Sequence, residues 1–168
     1  MFHALAEAIT YQQLSGKAAA TIFGRMVKLF APKRFPTPAD LLAMPDARLR
    51  GAGLSTAKTA ALKDLARKTL DGTVPRLSSV RRLSDAEIVE RLTAVRGIGT
   101  WTAEMVLIFR LGRSDVLPVA DLGVRKGFML TYGLDELPTA DEMTEHAERW
   151  RPYRTVASWY MWRALDGQ

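Results

Sequence analysis

Cysteine is absent from the 168 residues, and that absence removes disulfides, a thiolate nucleophile and any cysteine-held zinc or iron–sulfur cluster. Histidine is nearly absent too. His3 and His146 lie far apart in the sequence, which argues against a histidine-based metal site. No run of about 18 apolar residues occurs, and residues 1–6 carry no basic stretch leading into an apolar core. Neither membrane insertion nor export is expected, and a cytoplasmic (nucleoid-associated) or nuclear location is. Strand signals are scarce, and there is no internal repeat or low-complexity tract.

What is present is apolar residues, at 48%, and positive charge, at a net +6. The apolar share suffices for a sizeable core in one domain spanning 1–168. The charge is unevenly spread: residues 1–134 hold 20 Lys and Arg against 11 Asp and Glu, whereas residues 135–168 hold 4 against 7. A basic excess on the main body suits a polyphosphate partner, although a solubilising charge surplus explains it equally well.

Helix signals are dense. "TPADLLAMP" places Thr37 as a cap, Pro38 at the first helical position and Pro45 beyond the end. "SDAE" (Ser84 to Glu87) and "TADE" (Thr139 to Glu142) are capping boxes. Behind the first, Ile88, Val89, Leu92 and Val95 recur at helical spacing up to Gly97, and a helix runs from Ser55 to Leu70. The apolar stretch Met105 to Phe109 fits a buried strand by periodicity alone. Its preamble Thr102, Ala103, Glu104 favours a helix buried on nearly all sides. Asp121 can cap a helix reaching Tyr132 and Gly133, and an aromatic helix, Arg154 to Leu165, ends the chain. About nine short helices make an all-α, two-lobed arrangement, with "DGTVPRLSSVRRLS" near 71–84 as the lobe connection.

"VRGIGTWTAEM" (95–105) joins two of these helices very tightly. Gly97 and Gly99 tolerate positive φ and close backbone approach, so the amides of Gly97, Ile98 and Gly99, with Thr100 and Thr102 at the next helix start, form an anion-receptive corner. A phosphate held there reads no base sequence. A plain glycine-assisted turn is the other reading of "GIG".

One helix and one loop later comes "LPVAD", with the lone carboxylate of Asp121. "LTAVRGIGTWTAEM" followed by "LPVAD", with "AITYQQLSGKAAATI" before and "WRPYRTVASWYMWRAL" after, resembles the helix-hairpin-helix DNA glycosylase superfamily, and within it the 3-methyladenine DNA glycosylase II type. The four stretches occur in the right order and span nearly the whole chain. The resemblance implies the two-lobed helix-hairpin-helix glycosylase fold, here lacking an N-terminal β domain and with little chain ahead of "AITYQQLS".

It also implies site roles. Asp121 matches the catalytic aspartate, which would stabilise positive charge developing on the sugar and orient a water; otherwise it is a helix cap. Trp101 stands where strand-cleaving members carry a Schiff-base lysine, so a monofunctional enzyme that leaves an abasic site is expected. Trp162 matches a pocket aromatic, and with Trp101 it would stack on an extruded cationic base. Tyr11 and Tyr160 are further pocket candidates, while Trp150 and Trp159 are expected to anchor the last helix in the core. Gln13, with Gln12 beside it, matches the wedge that fills the vacated stack, and Lys58, behind a Ser55 cap, is a phosphate contact or a solvated surface residue. A structural Na+ or K+ would sit on the carbonyls of Thr93, Val95 and Ile98; no cofactor is required. The implied function is hydrolytic excision of alkylated purines from double-stranded DNA by a monomer, in base excision repair. The alternatives are a non-catalytic DNA-binding module, in which Asp121 would repel the partner, and a glycosylase for a deaminated or oxidised base.

Overall fold

Side-chain caps decide where most of the helices begin. In the computed structural model, which describes residues 1–166, Ser15 accepts the Ala18 N–H at the start of Gly16–Lys28, and Ser55 that of Lys58 at the start of Thr56–Leu70. Thr37, Ser84 and Thr139 form full capping boxes with Asp40, Glu87 and Glu142, opening Pro38–Ala43, Asp85–Thr93 and Ala140–Ala147. Each box satisfies two otherwise orphaned backbone donors. Gly133, left-handed at φ 63°, closes Leu122–Tyr132.

In chain order the helices are α1 (Phe2–Tyr11), α2 (Gly16–Lys28), α3 (Pro38–Ala43), α4 (Asp46–Gly51), α5 (Thr56–Leu70), α6 (Leu77–Val80), α7 (Asp85–Thr93), α8 (Thr100–Phe109), α9 (Leu122–Tyr132), α10 (Ala140–Ala147) and α11 (Arg154–Arg163), with a 3-10 turn at Glu148–Trp150. No strand occurs among the described residues, and no helix there is long and apolar enough to cross a membrane. The two helices beyond the expected nine are α4 and α6. Neither has a side-chain cap, and both are too short to show an apolar period.

The chain divides into two compact units, Met1–Gly99 and the residues from Thr100 onward. The division falls at the hairpin, and the 71–84 segment lies inside the first unit, where Val74, Pro75 and Val80 are buried. In that unit α5 is central, packed by α1, α3 and α4, with Leu62, Leu65 and Ala66 fully buried. The unit carries 16 Lys and Arg against 8 Asp and Glu.

In the second unit α9 packs on α11 around Val124, Phe128, Met143 and Met161. The helices meet so closely at Gly127 that an added Cβ would lie 1.9 Å from the Met161 carbonyl oxygen. Arg154 donates from Nε to Asp115 Oδ1 at 2.7 Å, tying the start of α11 to the loop before α9. Trp150 packs against this core as expected, its ring tilted against Phe128 and edge-on to His146. Trp159 does not: it is 50% exposed, with the Arg163 guanidinium over its ring, because it falls on the face of α11 opposite the buried Met161 side. The helix α8 buries Thr102, Ala103, Val106, Leu107 and Ile108, yet leaves Trp101 and Phe109 exposed, so its burial is less complete than expected.

Candidate active site

Asp121 is both a helix cap and the meeting point of two indoles. Its Oδ1 accepts the Val124 N–H at 2.8 Å, which caps α9, and the Trp162 Nε1–H at 2.8 Å. Its Oδ2 accepts the Trp101 Nε1–H at 2.7 Å. Burial pushes the carboxyl up, but the N–H donors of Trp101, Val124, Trp162 and Gly123 outweigh it, and the group lies below its ordinary 3.8. It is therefore an anion at neutral pH, with no partner cation among these contacts. Such a carboxylate is suited to facing positive charge that develops late in a reaction.

The two tryptophans come from different helices. Trp101, in the first turn of α8, is 46% exposed, while Trp162, near the end of α11, is half-buried. With the N–H edge of each ring fixed on Asp121, the π faces are held in defined orientations. Phe109 extends this aromatic surface, stacked on Trp162 with ring centroids 5.7 Å apart; sequence reasoning treated it only as the end of an apolar run. Gly123 was also missed. A Cβ there would approach within 2.8 Å of Trp162 Cδ1 and 3.1 Å of Asp121 Oδ1, so only glycine leaves the indole–carboxylate bond undisturbed. A third omission is Glu104, one turn beyond Trp101 on α8, whose carboxyl interacts electrostatically with Asp121.

One pocket candidate does not join this group. Tyr160 is 66% exposed, and its two-residue offset from Trp162 puts it on another side of α11. Tyr11 belongs to the first unit, where its ring meets Phe23 edge-on.

The first unit carries the hairpin up to Gly99. Gly97 has φ +80°, a conformation strained for any other residue, whereas Gly99 has ordinary φ and open space where a Cβ would be. Only Gly97 is thus demanded by the turn itself. The expected phosphate contacts separate accordingly. Gly97, Gly99 and Thr100 are exposed. The Ile98 N–H is engaged with Val95 O at 3.0 Å and its side chain is buried, and Thr102 is 7% exposed, which takes both off the available surface.

Lys58 also departs from expectation. Its ammonium turns inward, donating to Thr10 O at 2.6 Å and Gln12 O at 2.8 Å, and burial lowers its pKa. The orphaned carbonyls at the end of α1 attract it more than solvent does. Replacing Lys58 with methionine is expected to lower stability by about 1–3 kcal/mol, read as a fall in Tm, because those carbonyls lose their donor.

The two glutamines are likewise distinct. Gln12 donates from Nε2 to Gly97 O at 2.8 Å, so it braces the hairpin and is not available as a wedge. Gln13 is exposed, with φ 55°. On the hairpin's other side the Arg96 N–H donates to Asp64 Oδ2 at 2.8 Å, and the Lys68 ammonium bridges Asp64 and the Ala94 carbonyl.

These features define a class. The chain matches, over residues 6–152, the family described as HhH-GPD superfamily base excision DNA repair protein, and it belongs to that family. It is similar to DNA-3-methyladenine glycosylase 1 of Schizosaccharomyces pombe, 40% identical over 162 residues that cover 96% of this chain and 71% of that one. Among solved structures, it resembles a Schizosaccharomyces pombe 3-methyladenine DNA glycosylase in complex with abasic DNA, with a TM-score of 0.81 at 40% identity over 96% of this chain and 79% of that one. A DNA-3-methyladenine glycosidase from Bacillus halodurans gives a TM-score of 0.88 at 37% identity, over 97% of this chain and 74% of that one.

Proposed function

We propose that the protein is a monofunctional DNA glycosylase that removes alkylated purines from duplex DNA in base excision repair, acting as a monomer in the nucleoid or nucleus. The observation that carries this reading is a partly buried carboxylate, Asp121, held ionised between the indole N–H groups of Trp101 and Trp162.

The extruded base stacks on the indole faces, where a cationic purine gains most from the ring quadrupoles. The bond between the base and C1′ breaks with its electron pair leaving on the base. An N-alkylated purine is cationic and departs neutral, so no general acid is needed. Asp121 faces the oxocarbenium-like sugar and orients a water, whose oxygen bonds to C1′ and whose proton passes to the carboxylate or solvent. No lysine stands at the Trp101 position to form a Schiff base, so the strand stays intact. Gln13 fills the vacated stack, and Gly97, Gly99 and Thr100 meet the backbone, with the open space at Gly99 admitting a phosphate.

The carbonyls of Thr93, Val95 and Ile98 are the groups that would hold a monovalent cation at the hairpin; Val95 O also accepts from Ile98, which leaves it a second lone pair. No step depends on such an ion.

The test is base release from methylated duplex DNA beside duplexes carrying hypoxanthine or 8-oxoguanine. Release of 3-methyladenine with no strand break until the abasic site is treated with alkali is expected. Release confined to hypoxanthine or 8-oxoguanine would redirect the assignment to deaminated or oxidised bases, and binding without any release would leave a DNA-binding module.

A further inference from the structure

The acid at position 104 has no part in the chemistry above, yet it is placed beside it. Glu104 lies at i+3 from Trp101 on α8, on the same face of the helix. Its Oε2 is buried with no hydrogen-bond partner, an unfavourable state for a polar atom and one that a bound group can relieve. Asp121 is the neighbouring charge that acts on it. Glu104 thus neighbours the group in which Asp121 is fixed as an anion by the Trp101 and Trp162 N–H donors.

We propose that Glu104 reads the charge of the extruded base, holding a proton while the site is empty and releasing it to solvent when an N-alkylated, cationic purine stacks beside it. This rests on the reading of the site as an alkylpurine glycosylase. Burial and the charge of Asp121 push Glu104 up to about 7, so near neutrality an incoming cation tips the balance toward carboxylate. A neutral base supplies no such push, and ionising Glu104 against Asp121 would then be uphill. Once the glycosidic electron pair has left on the base, the base is neutral and Glu104 regains a proton from solvent. The device favours cationic lesions in ground-state binding, beyond what stacking on the indoles provides.

The experiment compares the intact protein with Glu104→Gln, whose amide keeps the shape and cannot ionise. Binding is measured to a duplex carrying 2′-fluoro-7-methyladenosine, which has no N1 proton to lose and in which the fluorine resists cleavage, and to the same duplex with 2′-fluoroadenosine, from pH 6 to pH 8. The wild-type preference for the charged duplex should grow with pH and at pH 8 exceed that of the variant by roughly tenfold, the effect of about one pKa unit of coupling. The variant should keep only a pH-independent preference. A variant with the wild-type preference and pH dependence, or a wild type with no pH-dependent preference, would overturn the proposal.

Melting provides a second readout. A carboxyl raised in the folded state from its ordinary 4.5 to about 7 contributes stability that is present below 4.5 and lost as pH rises to about 7. The Gln variant should therefore gain in Tm over wild type from pH 4 to pH 8, and a constant difference overturns the proposal as well. Charge-dependent binding without base release from methylated DNA would instead count against the glycosylase reading alone.

Discussion

Asp121→Asn is expected to retain the fold and lose base release by roughly a hundred- to thousandfold or more, the scale seen when one preorganised electrostatic contact to a transition state is removed. Asparagine is as good a helix cap as aspartate, so the Val124 N–H keeps its acceptor and α9 its start. What disappears is the negative charge that the proposed mechanism sets opposite the sugar, and the Trp101 indole N–H also meets an amide donor in place of an oxygen. Binding to undamaged duplex should be unchanged or stronger, because an anion has been removed from a surface that meets phosphates. Single-turnover release from methylated duplex, beside a melting curve, separates the two effects. Undiminished release would remove Asp121 from the reaction.

The pH dependence follows from the same contacts. Burial raises the Asp121 carboxyl, but its four N–H donors bring it net below 3.8. Its contribution to stability is then present above the unfolded value of 3.8 and lost as pH falls through the lower folded one. The acid limb of the rate profile due to Asp121 should accordingly lie below pH 3.8.

Gly127→Ala is expected to be the most damaging single-methyl change in the second unit. The new Cβ would sit 1.9 Å from a backbone oxygen of α11, and a backbone group cannot swing aside as a side-chain tip does. The helices must separate, at a cost of about 1–3 kcal/mol or more, and α11 carries Trp162 away from Asp121. Both Tm and base release should fall together. Gly24→Ala is the contrasting case. That glycine is in the interior of α2 with nothing within 4 Å of a Cβ, so the substitution should raise stability by about 0.5–1 kcal/mol. Equal effects at the two positions would contradict the close packing of α9 on α11.

Local chemistry was legible in the sequence, and long-range placement was not. The capping boxes at Ser84 and Thr139, the Thr37 cap, the left-handed Gly133 and the helical nature of α8 depend on neighbours within a few residues, and each was readable from spacing; the closing of a full box by Asp40 was not. Asp121, Trp101 and Trp162 came from the ordered motifs of a known family, and the structure brings them within hydrogen-bonding distance. Glu104 was invisible because "WTAE" reads as an ordinary first helical turn; its burial depends on how α8 packs. Lys58 was misread for a related reason. The carbonyls that capture its ammonium lie 46 and 48 residues earlier, and no local pattern records them. The need for glycine at 123 and 127 likewise comes from α11, contributed by distant sequence.

The brace formed by Gln12 and Lys58 bears on how undamaged DNA is searched. If, as proposed, Gln13 is the probe and the hairpin the phosphate contact, then the pinning of its turn to that hairpin through Gln12 would bring the probing side chain to the duplex at a constant stagger with every phosphate engaged. Inspection would then advance in nucleotide-sized steps, each testing the stack at one fixed offset, with no separate motion of a probe to wait for.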